Sequence, residues 1–86
     1  MIINELIAIV KNKLKTKIVI QDLKVDDKSF LHKNHKGHQE GKFHLKLTIN
    51  SNELAKSSKI VSTKRIYSIL DFELKEHIHS IQILLN

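Results

Sequence analysis

Residues 43–50, with the sequence FHLKLTIN, decide the fold because their side chains alternate without interruption. The odd-numbered positions from Phe43 to Ile49 are apolar, and the even-numbered positions from His44 to Asn50 are polar. A period of two is typical of a β-strand with one buried face and one face in water. We therefore predict a half-buried strand here, with the His44 side chain facing outward.

The segments on either side of this strand complete an αββαβ order. Residues 2–15 carry apolar side chains at spacings of three and four, which predicts an amphipathic helix. Residues 18–26 are β-branched and then alternate, which predicts a strand. Residues 59–76 return to a helical period, and residues 78–85 alternate again as a strand.

This order predicts an α/β (α+β) two-layer sandwich in which residues 1–86 form a single domain. Its three-stranded mixed sheet is covered on one face by the helices. The first two strands pair antiparallel across the polar loop 33–41, and the strand–helix–strand unit that follows makes the last pair parallel, with a right-handed crossover. Ser57 or Ser58 is expected to cap the second helix.

The composition excludes several classes of protein. The 86 residues include no cysteine, so the chain has no disulfide framework, no thiolate nucleophile and no iron–sulfur cluster held on its own thiolates. The first residues lack a positively charged leader, and the apolar run 6–10 is too short to cross a bilayer. We expect a cytoplasmic protein with no membrane partner.

Catalytic patterns are missing from the sequence. There is no glycine-rich phosphate loop and no serine in a nucleophile elbow. Asp26 and Asp27 are adjacent on a predicted strand, so their carboxylates point to opposite faces. We expect that the chain is not an enzyme.

The net charge of +6 comes almost entirely from lysine, and Arg65 is the only arginine. A basic domain binds nucleic acid non-specifically through counterion release. Specific readers rely on arginine forks, which this chain has only once. A solvated lysine surface is therefore the favoured explanation of the charge.

The six histidines are the only soft metal ligands in the chain. His32, His35 and His38 recur every third residue in the predicted loop, which suits a transition metal, although the lysines between them oppose cation binding. An exposed polar hairpin loop is the alternative. His79 opens the last strand, with Ile78 on the opposite face, and we predict that it lies on the core-facing side at the rim. It is either a ligand or a histidine satisfied by a backbone carbonyl.

Four segments together resemble the BolA family. Residues 23–32, LKVDDKSFLH, resemble its opening motif L-x-V-x-D-x-S-x-x-H, and residues 41–47, GKFHLKL, are similar to its S-H-F-x-V strand. Residues 65–74 resemble the helix x-I-Y-x-x-L-x-x-E-L, and residues 77–81, HIHSI, resemble the terminal I-H-A-L, with Ser80 at the alanine position. The resemblance implies a KH-like fold.

The resemblance also implies a function. BolA-like proteins pair with monothiol glutaredoxins and share a 2Fe–2S cluster with them, in iron–sulfur cluster assembly and trafficking. His79 matches the signature histidine, which implies that it is one cluster ligand. His32 lies closest to the family's loop ligand, but the interval from His32 to His44 is about three residues longer than usual, so His35 or His38 can take that role. The thiolates that this chain lacks would come from the glutaredoxin cysteine and glutathione.

Some BolA-like proteins are DNA-binding transcription regulators, which gives an alternative function. Lys56, Lys59, Lys64 and Arg65 could form a basic patch at the second helix. The chain has no G-x-x-G loop of the kind with which KH modules hold a nucleic-acid backbone.

Overall fold

The computed structural model describes residues 2–29 and 42–86, and within them the chain forms four helices and three strands. His32, His35 and His38 lie outside the described residues. The elements in chain order are α1 (Ile3–Lys17), β1 (Asp22–Asp27), β2 (Phe43–Asn50), α2 (Asn52–Ala55), α3 (Lys59–Ile69), α4 (Asp71–Glu76) and β3 (Ile78–Leu85).

The strands form one mixed sheet in the order β1-β2-β3. β1 and β2 are antiparallel, with Asp22 opposite Asn50 and Asp27 opposite Leu45, and β2 and β3 are parallel. The predicted strand pairings are therefore confirmed. β2, the strand with the uninterrupted alternation, is the central one and has the predicted bounds.

The helices pack on one face of this sheet, as predicted. Leu6, Val10 and Leu14 lie at spacings of four along α1 and are fully buried, so they form its inward stripe. They share one core with Ile66 and with further apolar side chains from the sheet and the other helices, namely Ile18, Leu23, Val25, Leu45, Leu47, Ile49, Leu54, Leu70 and Ile78. Burial of this apolar surface is the main force that holds the two layers together.

The predicted strand 18–26 was wrong at its start, because β1 begins only at Asp22. Ile18 instead ends α1 and is buried in the core. The carbonyl of Val19 accepts a hydrogen bond from Ser51 Oγ at 2.7 Å. Ile18 and Ile20 pack on the core, whereas Val19 is exposed. This β-branched run therefore connects the two layers outside the sheet.

The predicted helix 59–76 is interrupted at Leu70, whose φ of −98° and ψ of 17° leave the helical region. Two helices result, α3 and α4. Ser58, one of the two candidate caps, accepts a hydrogen bond from the backbone N–H of Val61 at 3.2 Å. The additional helix α2 was not predicted, since its single turn is too short to show a period.

Candidate functional site

One end of the sheet brings together the start of β2, the start of β3 and the end of β1. The backbone N–H of Phe43 donates to the carbonyl of His77 at 3.0 Å, and the N–H of Lys28 donates to the carbonyl of His44 at 2.7 Å. Three segments that are distant in sequence therefore meet here. The described histidines His44, His77 and His79 all lie at this end.

A β-bulge determines how β3 begins. Phe43 pairs with Ile78, but the next residue on β2, His44, pairs with Ser80, so His79 is an additional residue with no counterpart in the register. A bulge of this kind places two residues of one strand against one of its neighbour and redirects side chains.

The bulge corrects the predicted faces of His79 and Ile78. Ile78 is buried in the core at 2% exposure, whereas His79 and Ser80 are both exposed, and Ile81 again packs on the core. In a regular strand Ile78 and Ile81 would lie on opposite faces. The additional residue brings both to the core face and leaves His79 exposed on the outside.

His44 is on the outer face of β2, yet it is buried at 5% exposure and not in water as predicted. Its Nδ1 lies 2.6 Å from Ser80 Oγ, and its backbone N–H donates to Ser29 Oγ at 3.1 Å. Its ring also contacts the ring of His79, with 4.9 Å between the centroids and 49° between the planes. The structure thus pairs two histidines that the sequence interpretation kept apart.

His77 has a different environment. It ends α4, donates its backbone N–H to the carbonyl of Glu73 at 2.8 Å, and places its half-buried ring edge-on to Phe72 at 6.0 Å. These contacts fix the junction between α4 and β3. His77 therefore serves as a neighbouring histidine against which the role of His79 can be compared.

The basic residues proposed for the DNA-binding alternative lie around α3. Lys56, Lys59 and Lys64 are exposed. Arg65 is engaged within the molecule, because its Nη2 lies 2.6 Å from Glu53 Oε2 and donates to the carbonyl of Lys17 at 2.9 Å. The one guanidinium of the chain is thus held by an acidic residue.

The pKa of Glu53 is lowered from the ordinary glutamate value. The largest cause is the backbone N–H of Val19, which donates to the Glu53 carboxylate at 3.3 Å, and the hydrogen bond from Arg65 adds to it. Both contacts favour the ionised carboxylate. Glu53 accordingly holds the segment after α1 against the helices that follow β2.

The fold and the bulged sheet end define a class of protein: an α+β domain of the αββαβ kind, with a small helix added before α3, that presents an exposed histidine at the start of its last strand. The model of the family described as "BolA-like protein" matches residues 14–86. This chain belongs to the BolA-like protein family.

Solved structures share the fold. The BolA domain of SufE1 from Arabidopsis thaliana is 28% identical and has a TM-score of 0.77, with 92% of this chain and 87% of that chain covered. BolA1 from Arabidopsis thaliana is 21% identical with a TM-score of 0.76 over 92% and 87% of the two chains. A structure described as a bol-like protein from Babesia bovis is 19% identical and has a TM-score of 0.71, with 91% of this chain and 79% of that chain covered. No curated protein sequence matches this chain.

The described residues supply few donor atoms for a metal ion. Within residues 2–29 and 42–86 no group of three or more His, Cys, Asp or Glu side chains could hold a metal ion. The His44–His79 pair supplies imidazole nitrogen alone, and the whole chain has no thiolate. Any iron–sulfur cluster at His79 would need its remaining ligands from elsewhere.

The sequence contains one signal for the bulge that the alternating pattern hid. Apolar residues of β3 fall at positions 78, 81, 83, 84 and 85, so the first interval is three and the second is two. An interval of three in a period-two pattern indicates an additional residue. It identifies the exposed pair His79 and Ser80, but not their contact with His44, which depends on the register with β2.

Among the described residues, no helix has the length and apolar character needed to cross a membrane.

Proposed function

We propose that this BolA-like protein is a non-enzymatic accessory factor in iron–sulfur cluster assembly or trafficking in the cytoplasm. In this proposal it forms a heterodimer with a monothiol glutaredoxin and glutathione. The two proteins share a 2Fe–2S cluster, to which His79 supplies one ligand.

The exposure of His79 is the observation that carries the proposal. A ligand to a shared cluster has to lie on the surface that faces the partner, and a histidine directed into the core cannot meet that requirement. The bulge between Ile78 and Ser80 turns His79 outward at the end of the sheet. The same turn buries Ile78, so the exposed position of His79 is stabilised by the core.

The chemistry of the chain supports a partner that supplies thiolates. Clusters of the 2Fe–2S type are held by four ligands, most of them cysteine thiolates, and this chain has no cysteine. A glutaredoxin cysteine and the cysteine of glutathione would provide them. Imidazole in place of thiolate raises the reduction potential of a 2Fe–2S centre, which is the property that His79 would contribute.

The proposal includes a second ligand from this chain, with His32 first and His35 or His38 as alternatives. His32 is placed first because it lies three residues after Ser29, the position that resembles the family's loop ligand most closely.

The proposal is tested by anaerobic mixing of the two proteins with iron, sulfide and glutathione. We expect a heterodimer with the visible absorption and circular dichroism of a 2Fe–2S cluster, and we expect His79→Ala to change that spectrum. His77→Ala is the matched control, because it removes an imidazole two residues away and should leave the spectrum unchanged. Equal spectra for wild type and His79→Ala would refute the ligand assignment.

The DNA-binding alternative has less support, because Arg65 is held by Glu53 and the remaining basic residues are exposed lysines. Lysine contacts to phosphate give affinity without sequence preference. If the chain binds no monothiol glutaredoxin and instead binds DNA with sequence preference and a steep salt dependence, the alternative replaces the proposal.

A further inference from the structure

The two edges of the sheet carry different side chains. Within residues 2–29 and 42–86, β1 and β3 each pair with β2 alone, so each leaves one row of backbone groups outside the ladder. β1 is charged along its length, at Asp22, Lys24, Asp26 and Asp27. Charged side chains on an edge strand oppose pairing with another chain. β3, with the sequence IHSIQILL, has no Asp, Glu, Lys, Arg or Pro, so it lacks this protection.

The core-facing side chains of the two edge strands are also covered to different degrees. Leu23 and Val25 of β1 are each only 8% exposed, and α1 packs against this strand. Ile81, Ile83 and Leu85 of β3 pack on the core but are only half-buried. An uncharged edge strand with apolar side chains that its own domain covers incompletely is a surface for pairing with a further strand.

The backbone of β3 directs hydrogen-bonding groups toward this edge. The N–H of Asn86 donates to the carbonyl of Ile49 at 2.9 Å, so the backbone groups of Asn86 point toward β2. These groups alternate in direction along a paired strand. The odd-numbered residues from Ile81 to Leu85 therefore direct their N–H and C=O groups away from β2, and the same residues carry the half-buried apolar side chains.

We propose that a second copy of this chain pairs with this edge, as an antiparallel β3–β3 ladder that joins two three-stranded sheets into one of six strands. The two-fold axis passes beside Gln82. This register sets Ile81 opposite Ile83 of the second copy as a hydrogen-bonded pair, since both residues direct their backbone groups outward. Gln82 then lies opposite Gln82 of the second copy, in a pair without ladder hydrogen bonds.

The side chains of β3 fit a copy of themselves, which favours this occupant over another strand. On the core face, Ile81 and Ile83 of the second copy each cover the half-buried flank of the other. On the outer face, two Gln82 side chains meet, and a primary amide both donates and accepts hydrogen bonds. A two-fold interface sets the same patch against itself. A charged residue at position 82 would therefore repel its own copy, and glutamine does not.

The rest of the chain determines how this association depends on salt. Each copy carries a net charge of +6, so two copies repel one another at low ionic strength. Salt screens that repulsion and leaves the uncharged contact between the strands intact. Dimerisation is therefore expected to strengthen as the salt concentration rises, the opposite of what a contact held by ion pairs would show.

The test measures the association of the full chain by sedimentation velocity, from about 10 μM to about 1 mM, the range in which a small interface forms. We expect a reversible equilibrium between monomer and dimer that shifts toward the dimer with added salt. Amide hydrogen exchange of the same samples is the second readout. Exchange at Ile81 and Ile83 should slow as the dimer forms, because their N–H groups enter the new ladder.

Two variants with the same change in net charge separate the β3 edge from general repulsion. Gln82→Lys sets two ammonium groups against one another at an exposed position, and it should weaken dimerisation about tenfold or more. Asp22→Asn is the matched control, because it makes the net charge more positive by the same unit at an exposed position on β1. It should leave dimerisation unchanged.

A single introduced cysteine tests the register, since the chain has no cysteine of its own. Antiparallel residues in a pair without ladder hydrogen bonds have side chains close enough for a disulfide. With oxidised glutathione as the oxidant, Gln82→Cys should give a disulfide-linked dimer. Lys24→Cys, on the exposed side of β1, should not.

Four results would overturn the proposal: a chain that stays monomeric at every concentration, a dimer that Gln82→Lys does not weaken, a dimer in which Gln82→Cys forms no cross-link, or protection of the Ile81 and Ile83 amides that is equal at every concentration. The last result would mean that the edge is covered within one chain. The test contains this chain alone, so its outcome is independent of the proposed glutaredoxin complex.

Discussion

Nζ of Lys13 lies 2.9 Å from Oε1 and 2.7 Å from Oε2 of Glu73, so one ammonium group satisfies both oxygens of a carboxylate whose side chain is only 4% exposed. The pair joins α1 to α4. Because only His77, the C-cap of α4, separates this helix from β3, the ion pair helps to hold the element from which the bulged strand starts.

Replacement of Lys13 by Met tests the cost of leaving that carboxylate buried without its partner. We expect Lys13→Met to lower the free energy of unfolding by about 2–4 kcal/mol. This loss is smaller than for a fully buried ion pair because the Lys13 side chain is itself partly exposed. Urea denaturation measures the change. Lys15→Met on the exposed side of α1 is the control, and an equal loss in both variants would argue against the pair.

The bulge predicts that substitutions at two adjacent residues differ in how much they lower the free energy of unfolding. Ile78→Ala should lower the free energy of unfolding by about 2–4 kcal/mol because it leaves a cavity in the core. His79→Ala removes an exposed side chain and should change stability by about 0.5 kcal/mol or less. A regular strand predicts the reverse order, so thermal or urea unfolding of the two variants distinguishes the geometries.

The Ser58 cap predicts a difference between neighbouring serines. Ser58→Ala removes the acceptor for the N–H of Val61 and should destabilise the protein by about 1 kcal/mol. Ser57→Ala leaves that hydrogen bond intact and should have an effect within about 0.5 kcal/mol. Comparison of their urea midpoints checks the assignment, which fails if Ser57→Ala is the more costly change.

We expect the contribution of Glu53 to the free energy of unfolding to depend on pH. Its pKa is lowered in the folded state, first by the Val19 N–H and then by Arg65. The resulting stability is complete above the unfolded-state pKa of about 4.3 and is lost as the pH falls through the lower folded-state pKa. Glu53→Gln should therefore be less stable than wild type at pH 7, with a difference that shrinks below about pH 4.

The matched variant for Glu53 is Arg65→Gln. It leaves the larger cause, the Val19 N–H, in place, so the pKa of Glu53 should stay below its ordinary value. Denaturation of wild type, Glu53→Gln and Arg65→Gln between pH 3 and 7 gives the free energy of unfolding of each protein as a function of pH. A stability difference between wild type and Glu53→Gln that is constant over this range would contradict the account.

Local periodicity predicted those parts of the fold that depend on one buried face. The bounds of β2 matched because its side chains alternate between the core and the outer face. The helical period within residues 59–76 was found because its apolar residues, such as Ile66 and Leu70, are buried on one side. The β-branched run from Ile18 to Ile20 misled the prediction, since it lies outside the sheet, with Ile18 and Ile20 packed on the core and Val19 exposed.

The candidate site could be predicted only in part because its contacts are long-range. His79 was identified by resemblance. Its outward direction depends on the additional residue that β3 has relative to β2. Within residues 78–85, the only sign of that residue is the first apolar interval of three. The His44–Ser80 hydrogen bond joins residues 36 apart, and the Lys13–Glu73 pair joins residues 60 apart. Such partners are selected by register and packing.

The central claim, that His79 ligates a cluster shared with a monothiol glutaredoxin, is tested most directly by pulsed EPR on the reduced heterodimer. With only this chain labelled with ¹⁵N-histidine, the account predicts strong nitrogen hyperfine coupling that falls in His79→Ala and is unchanged in His77→Ala. A spectrum without ¹⁵N coupling, or coupling of equal strength in His79→Ala, would contradict it.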